Sequence, residues 1–306
     1  MSAKLKRKLL IGVLVTAVII YFCAKTLKGL HPGALFHLNI HWGVVALSIA
    51  VYIFANYIRG LAFTFGIDRG MDWLTAFQVM GIGHAANMIF PLHAGEGLRA
   101  AFFPPDYSAM RRTKLMVISA TADTIAIILI ALLAIPFSGF MDPKLLKALW
   151  ILAILCVAGA VLFVLVLLVV PRLRKYSKDY LSLDMAKMMF WVMLSWFLLL
   201  VSTWLGVGAF GYRGGEAVSM SLAVFAATNI INFIPASPGA IGLFEYGVIL
   251  GLGGLGIARD TALAVALLLH MIQYAALLPM GAVLYFQALH GKYGKALKEE
   301  WRKKGG

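Results

Sequence analysis

Apolar stretches of about 20 residues, the length that crosses a hydrocarbon core of roughly 30 Å, follow one another along almost the whole chain, and two are broken by nearly the same wording. PLHAGEGLR at 91–99 and PASPGAIGLFE at 235–245 each set proline and glycine in the middle of membrane-length sequence. A shift of 144 residues carries Pro91 onto Pro235 and Gly95 onto Gly239. With 62% hydrophobic residues, 13% charged residues and a mean hydropathy of +0.89, a soluble domain is excluded, since such domains are nearer half apolar and a quarter charged. The pattern predicts an all-α polytopic integral membrane protein. Six full transmembrane helices and two broken re-entrant hairpins would form two inverted-topology repeats around a central polar cavity.

The single membrane domain, 1–306, divides accordingly. Full spans are expected at 9–28, 43–66, 115–138, 147–171, 188–210 and 261–287. Repeat 1 covers 43–138 with its hairpin at 74–104, and repeat 2 covers 188–287 with its hairpin at 218–256. A helix starting near 43 corresponds to one near 188, and one near 115 to one near 261. The helix at 9–28 is an N-terminal addition, 147–171 links the repeats, and 288–306 is a basic cytoplasmic tail. The run after Met1–Lys8 is long enough to span and is expected to be a retained helix rather than a cleaved signal peptide.

Charge sets the orientation. With a cytoplasmic N-terminus, 19 of the 27 lysines and arginines fall inside. Only Lys25, Lys28, Lys144, Lys147, Arg213 and Arg259 fall outside, with Arg59 and Arg99 within membrane segments, as the positive-inside rule expects. Were 74–92 a complete crossing, Arg99, Arg111, Arg112 and Lys114 would land outside, so the segment is read as returning to its own side. The first hairpin then enters from the cytoplasm and the second from the opposite face. Both termini are expected in the cytoplasm of a prokaryotic inner membrane. The net charge of +14 is accounted for by topology, and the tail would add about 1 kcal/mol of attraction to anionic lipid per basic residue. Nucleic acid is not needed to explain it.

Irregular backbone at membrane depth is tolerated only where protein buries it or a water-filled cavity adjoins it, so two facing hairpins imply a polar site. The first contributes His84, Asn87, His93, Glu96 and Arg99, and the second Asn229, Asn232, Ser237 and Glu245. Hairpin turns are assigned to Pro91, Gly95, Pro235, Pro238, Gly239 and Gly242, with the helix starts beyond them aiming backbone N–H groups at an anion. Glu96 and Arg99, three apart, share a helix face and can pair. Structurally they would hold the hairpin; functionally Arg99 would bind an anionic group. Arg59 is a second anion ligand or a snorkelling side chain. Asp123 would pair with either arginine or relay protons. Glu245, without an arginine in its own hairpin, is open to protonation on burial or to a hydrogen bond from a hairpin amide.

Cys23 and Cys156 fall in expected spans, match no metal or redox spacing, and read as packing residues. His31, His37 and His41 fit no zinc signature. GLGGLG at 251–256 has no βαβ unit around it. No cofactor and no metal are expected.

At the hairpins, NMIFPLHAGEGLRA and NFIPASPGAIGLFE resemble the lysylphosphatidylglycerol synthase transmembrane, or flippase-like, family, the second through its PxSPGGxGxFE pattern. The resemblance implies a membrane protein that moves an anionic lipid or lipid-linked phosphate between leaflets. It would place functional positions at Asn87, Pro91, Gly95, Glu96, Arg99, Pro235, Pro238, Gly239, Gly242 and Glu245. The sequence departs from the family at Ser119 and Ala120, where members often carry glutamate and arginine, and at His270, where many have arginine. His270 joins Glu96, Asp123 and Glu245 as a proton-coupling or ion-pair candidate. No aminoacyl transfer domain accompanies these segments, so lysyl transfer is not expected.

The leading expectation is a flippase-like transporter rather than an enzyme, partnered by membrane lipids with anionic headgroups and compatible with a homo-oligomer or an envelope-synthesis enzyme partner. A lipid-modifying transferase using Glu96, His93 or Glu245 as a base, and a transporter of a small soluble anion, are the alternatives.

Overall fold

The computed structural model describes residues 39–90, 95–137, 139, 143–171, 182–231 and 238–291. The expected helix at 9–28 with Cys23, His31 and His37, the residues Pro91, His93, Asn232, Pro235 and Ser237, and most of the basic tail lie outside the described residues. Every regular element among the described residues is helical. In order these are α1 (Trp42–Ala62), prolonged by a π-helical turn at Phe63–Ile67, then α2 (Trp73–Ile89), α3 (Gly95–Ala101), α4 (Ala109–Phe137) and α5 (Pro143–Val169). After these come α6 (Leu183–Gly208), α7 (Gly214–Ile231), a 3₁₀ turn at Pro238–Ala240, α8 (Leu243–Gly253) and α9 (Arg259–His290).

Among the described residues five helices are long and apolar enough to cross a membrane: Trp42–Gly66, Ala109–Ile130, Leu183–Gly208, Gly214–Ile231 and Arg259–His290. The expected span at 147–171 is not among them, and Gly214–Ile231, expected as part of a broken hairpin, is. Two of the five begin earlier than hydropathy predicts, because their first turns carry charge: Arg111, Arg112 and Lys114 on α4, Asp184 and Lys187 on α6. Side-chain caps mark water-facing starts. Asp72 accepts from the Thr75 amide at 3.0 Å ahead of α2, and Ser182 from the Met185 amide at 3.1 Å ahead of α6, the role short polar side chains play at N-caps. Helix α5 packs chiefly on α4 and exposes Ile151, Ile154, Leu155, Leu162 and Leu165. Such a surface is a liability in water and ordinary against lipid.

The centre is the antiparallel pair α1 and α6. The Ser48 hydroxyl donates to the Ser202 carbonyl at 2.8 Å, and the Ser202 hydroxyl donates back to the Ser48 carbonyl at 2.9 Å. Further along, Arg59 meets Ser195 and Gly66 meets Met188, where a Cβ would come within 2.7 Å of the methionine. Numbers rise on one helix as they fall on the other. Where lipid tails are as apolar as the side chains, helices associate by close packing and such interhelical bonds.

Each arm of this pair carries a helical hairpin. Helix α3 returns along α2: the Gly95 amide donates to Asn87 Oδ1 at 2.8 Å, and Arg99 lies on Gly83. The open end of this hairpin sits where α1 stops and α4 starts. Arg111 pairs with buried Asp68 at 2.7 Å. Arg112 donates to the carbonyls of Tyr107, Pro104, Pro105 and Ala100 at 2.9 to 3.4 Å. Helix α8 likewise returns along α7, with Gly247 against Thr228 and Gly251 against the Ala223 carbonyl. Its open end joins Val45, Val207, Ala217, Leu252 and Ala262 in one core, at the start of α1. The open ends of the two helix pairs therefore lie toward opposite ends of the α1–α6 pair. Helix α2 packs on α9 and α7 packs on α4.

Candidate functional site

The end of α2 and the 3₁₀ turn ahead of α8, the described parts nearest the two hairpin tips, meet at the centre through α9. The Tyr274 hydroxyl donates to the Met88 carbonyl of the first tip at 3.3 Å and packs against Gly239 of the second. Gly239 has φ +58° and Gly242 φ +85°, the left-handed region that glycine adopts without steric cost. A Cβ on Gly239 would strike Tyr274. The Gly95 turn assignment has a different basis: its Cβ would strike Asn87 and the Gly83 carbonyl, so it is glycine for close approach.

Between the tips and helices α1, α4, α6 and α9 lies a cavity of about 590 Å³. Arg59, His84, Asn87, Glu96, Arg99, Asp123 and Asn229 all line it, so seven side chains chosen from sequence converge on one space. Arg99 pairs with Glu96 at 2.9 Å, and Asn87 Nδ2 donates to Glu96 Oε1 at 3.4 Å while its Oδ1 holds the Gly95 amide. Gly83 makes room for the guanidinium, since a Cβ there would lie 2.8 Å from Arg99 Nε. Asp123 pairs with Arg59 at 3.5 Å rather than with Arg99. Its Oδ1 also accepts from Trp196 Nε1 at 3.1 Å. Arg59 lies over the Trp196 ring, 4.5 Å from its centroid, an attraction that strengthens away from water, and donates from Nε to Ser195 at 3.3 Å. Asn229 Nδ2 donates to the Phe225 carbonyl at 2.7 Å.

The two ion pairs are lopsided. The arginine side chains are 5% and 8% exposed, while Glu96 is 41% and Asp123 20% exposed. Nε of Arg99 is a buried donor that makes no hydrogen bond among the described residues, while Nη2 of Arg59 makes none there either but faces Asp123 Oδ1 at 3.5 Å as an ion pair. Such a donor costs about 1–3 kcal/mol when left unpaired. The arginines are thus buried more deeply than the carboxylates they pair with.

Glu245 and His270 do not line this cavity; they lock the second tip behind it. Glu245 Oε2 accepts from the Gly242 amide and Oε1 meets His270 Nδ1, both at 2.5 Å, while His270 Nε2 reaches the Gly239 carbonyl at 2.9 Å. The Gly95 and Gly242 amides at the starts of α3 and α8 are therefore taken by side chains, contrary to the expectation that helix starts offer their N–H groups to an anion.

Sequence reading missed Tyr52, Asn56 and Trp196 in the lining and Tyr274 between the tips. Asn56 and Tyr52 stand three and seven residues before Arg59, on the same helix face, and that spacing was available as a signal. Trp196 lies 73 residues from Asp123, and no local pattern announces the contact.

Helices of membrane length enclosing a cavity with two buried arginines define an integral membrane protein with a charged internal site. More particularly, the chain belongs to the lysylphosphatidylglycerol synthase TM region family, whose profile matches residues 9–281. Membership links it to lipid or phospholipid metabolism or transport. No curated protein and no solved structure matches the chain.

Proposed function

We propose that this protein moves an anionic phospholipid or a lipid-linked phosphate between membrane leaflets as a transporter, without chemical change to its cargo. The observation that carries the reading is the pair of buried guanidinium groups, Arg99 with an Nε that makes no hydrogen bond among the described residues and Arg59 with Nη2 held only by its 3.5 Å ion pair to Asp123, in a cavity whose lining also includes Ile127, Leu199, Phe225 and Leu277. Planar guanidinium donors match phosphate oxygens, and a charged headgroup crosses hydrocarbon only at high cost unless protein supplies such a path. Two re-entrant hairpins in inverted repeats give the alternation. The antiparallel α1 and α6, hairpins opening at opposite ends, and the exchanged packing of α2 on α9 and α7 on α4 all favour that reading. The phosphate would rest between Arg59 and Arg99 while the two hairpins part alternately toward each side, with both termini in the cytoplasm of a prokaryotic inner membrane.

Native mass spectrometry of lipids co-purified in mild detergent tests this. One anionic class enriched with the wild type and lost from Arg99→Ala is the expected result. Identical bulk phospholipid in both samples would overturn it.

A further inference from the structure

His84 lines the same cavity and is absorbed by neither ion pair. Its state follows from a chain of donors and acceptors. A backbone carbonyl only accepts, so the bond between Asn56 Nδ2 and the Tyr52 carbonyl, 2.9 Å, fixes the Asn56 amide with its nitrogen toward Tyr52. Asn56 Oδ1 is then the atom facing His84 Nδ1 at 2.8 Å. An amide oxygen also only accepts, so Nδ1 carries the hydrogen. Asn56 is buried, and the assignment is held by protein rather than by solvent. Two guanidinium groups share the cavity and would repel a third positive charge, and the two carboxylates there, Glu96 and Asp123, are already paired with those guanidinium groups. The ring is therefore neutral, and its Nε2 is a lone pair. No partner for Nε2 is found among the described residues.

We infer that His84 selects an anionic headgroup that carries an O–H donor next to its charged oxygens. Arg59 and Arg99 take the anionic oxygens and His84 Nε2 accepts the O–H. A phosphodiester without such a donor would set an oxygen lone pair against the Nε2 lone pair and leave that acceptor unsatisfied. Two sources offer the same chemistry: the P–O–H of a monoester phosphate and a hydroxyl on an esterified headgroup. The inference rests on the anionic-lipid reading above and narrows it.

The test is competition between three defined lipids for the purified protein in detergent, read by native mass spectrometry. Phosphatidylmethanol is an anionic diester with no donor, phosphatidylglycerol adds headgroup hydroxyls, and phosphatidate offers the phosphate O–H. Wild type should prefer one or both of the last two over phosphatidylmethanol by about tenfold, the worth of one hydrogen bond to a buried acceptor. Preference for phosphatidate identifies the phosphate's own O–H as the donor, and preference for phosphatidylglycerol identifies the headgroup hydroxyl. His84→Phe should remove the preference, while His84→Gln, which keeps a polar group near the Nε2 position, should retain part of it. Equal binding of all three by wild type, or a preference surviving in His84→Phe, overturns this inference alone. Failure of all three to bind overturns the functional reading and this inference with it. A second readout does not depend on lipid: ¹⁵N spectra of histidine-labelled protein, with His84→Phe used for assignment, should show Nε2 without a hydrogen. A protonated Nε2 would contradict the neutral ring and overturn the inference.

Discussion

Arg99 shows how one side chain is placed for function by neighbours that give way to it. Gly83 leaves space under its guanidinium, Asn87 holds Glu96 beside it, and Nε remains unpaired. Replacing it with alanine should cut headgroup binding by about tenfold or more, the worth of a charge-assisted hydrogen bond, with Arg59→Ala acting in the same direction. Lysine at 99 should recover only part, because a point charge does not reproduce the fork. Glu96→Gln tests the opposite sign. If the carboxylate occupies the place an anion takes, neutralising it should tighten lipid binding several-fold in the same assay, and weaker binding would show that Glu96 contributes to the site instead. The Glu96–Arg99 pair was legible from a spacing of three residues on a helix. For the Arg59–Asp123–Trp196 cluster, a pairing of Asp123 with one of the two arginines was legible, but the choice of Arg59 and the part of Trp196 were not, because the members come from three helices that only tertiary packing brings together.

Among the elements, α9 carries the most weight, since one of its faces holds both hairpin tips. Tyr274 reaches Met88, and His270 reaches Gly239 and Glu245. His270→Phe should free the second tip, raising hydrogen exchange across residues 238–245 while exchange in α1 and α6 stays as it was. Unchanged exchange at the tip would remove the lock. The packing of α2 on α9 depends on close approach at Gly281, where an added side chain strikes Ala85. Gly281→Leu should destabilise the protein by about 1–3 kcal/mol, as overpacking does, read as a lower Tm in detergent. Gly43→Ala, with nothing within 4 Å of the added carbon, should leave Tm unchanged or slightly raised. Proline and glycine inside apolar sequence announced both hairpins, because little else breaks a helix there. What could not be read was how their first-turn amides are used: the partners of Gly95 and Gly242 are side chains reaching back at distances set by the fold, and His270 stands 25 residues beyond Glu245.

For the whole molecule, hydropathy located four of the six expected spans, those at 43–66, 115–138, 188–210 and 261–287, among the described helices, and the contact pattern gives their arrangement. Periodic apolar length is a local property, so spans were legible; the pairing of helices far apart in sequence is not local, and needed the structure. Inverted repeats with a cytoplasmic N-terminus make a testable claim about sides. Lys187 and Arg213 are exposed at opposite ends of the α6 region. Cysteines placed singly at these positions, with Cys23 and Cys156 replaced by serine, should react with a membrane-impermeant maleimide only from the outside at 213 and only after permeabilisation at 187. Labelling of both from one side would break the proposed topology. The central claim is movement of an anionic lipid through the two-arginine cavity, and its most direct test is reconstitution into liposomes with a fluorescent phosphatidylglycerol or phosphatidate in one leaflet, followed by dithionite quenching. The account predicts lipid exchange that depends on wild-type protein and is lost in Arg59→Ala and Arg99→Ala variants that reconstitute equally well. Exchange at the wild-type rate in both variants, or none with the wild type, would contradict it.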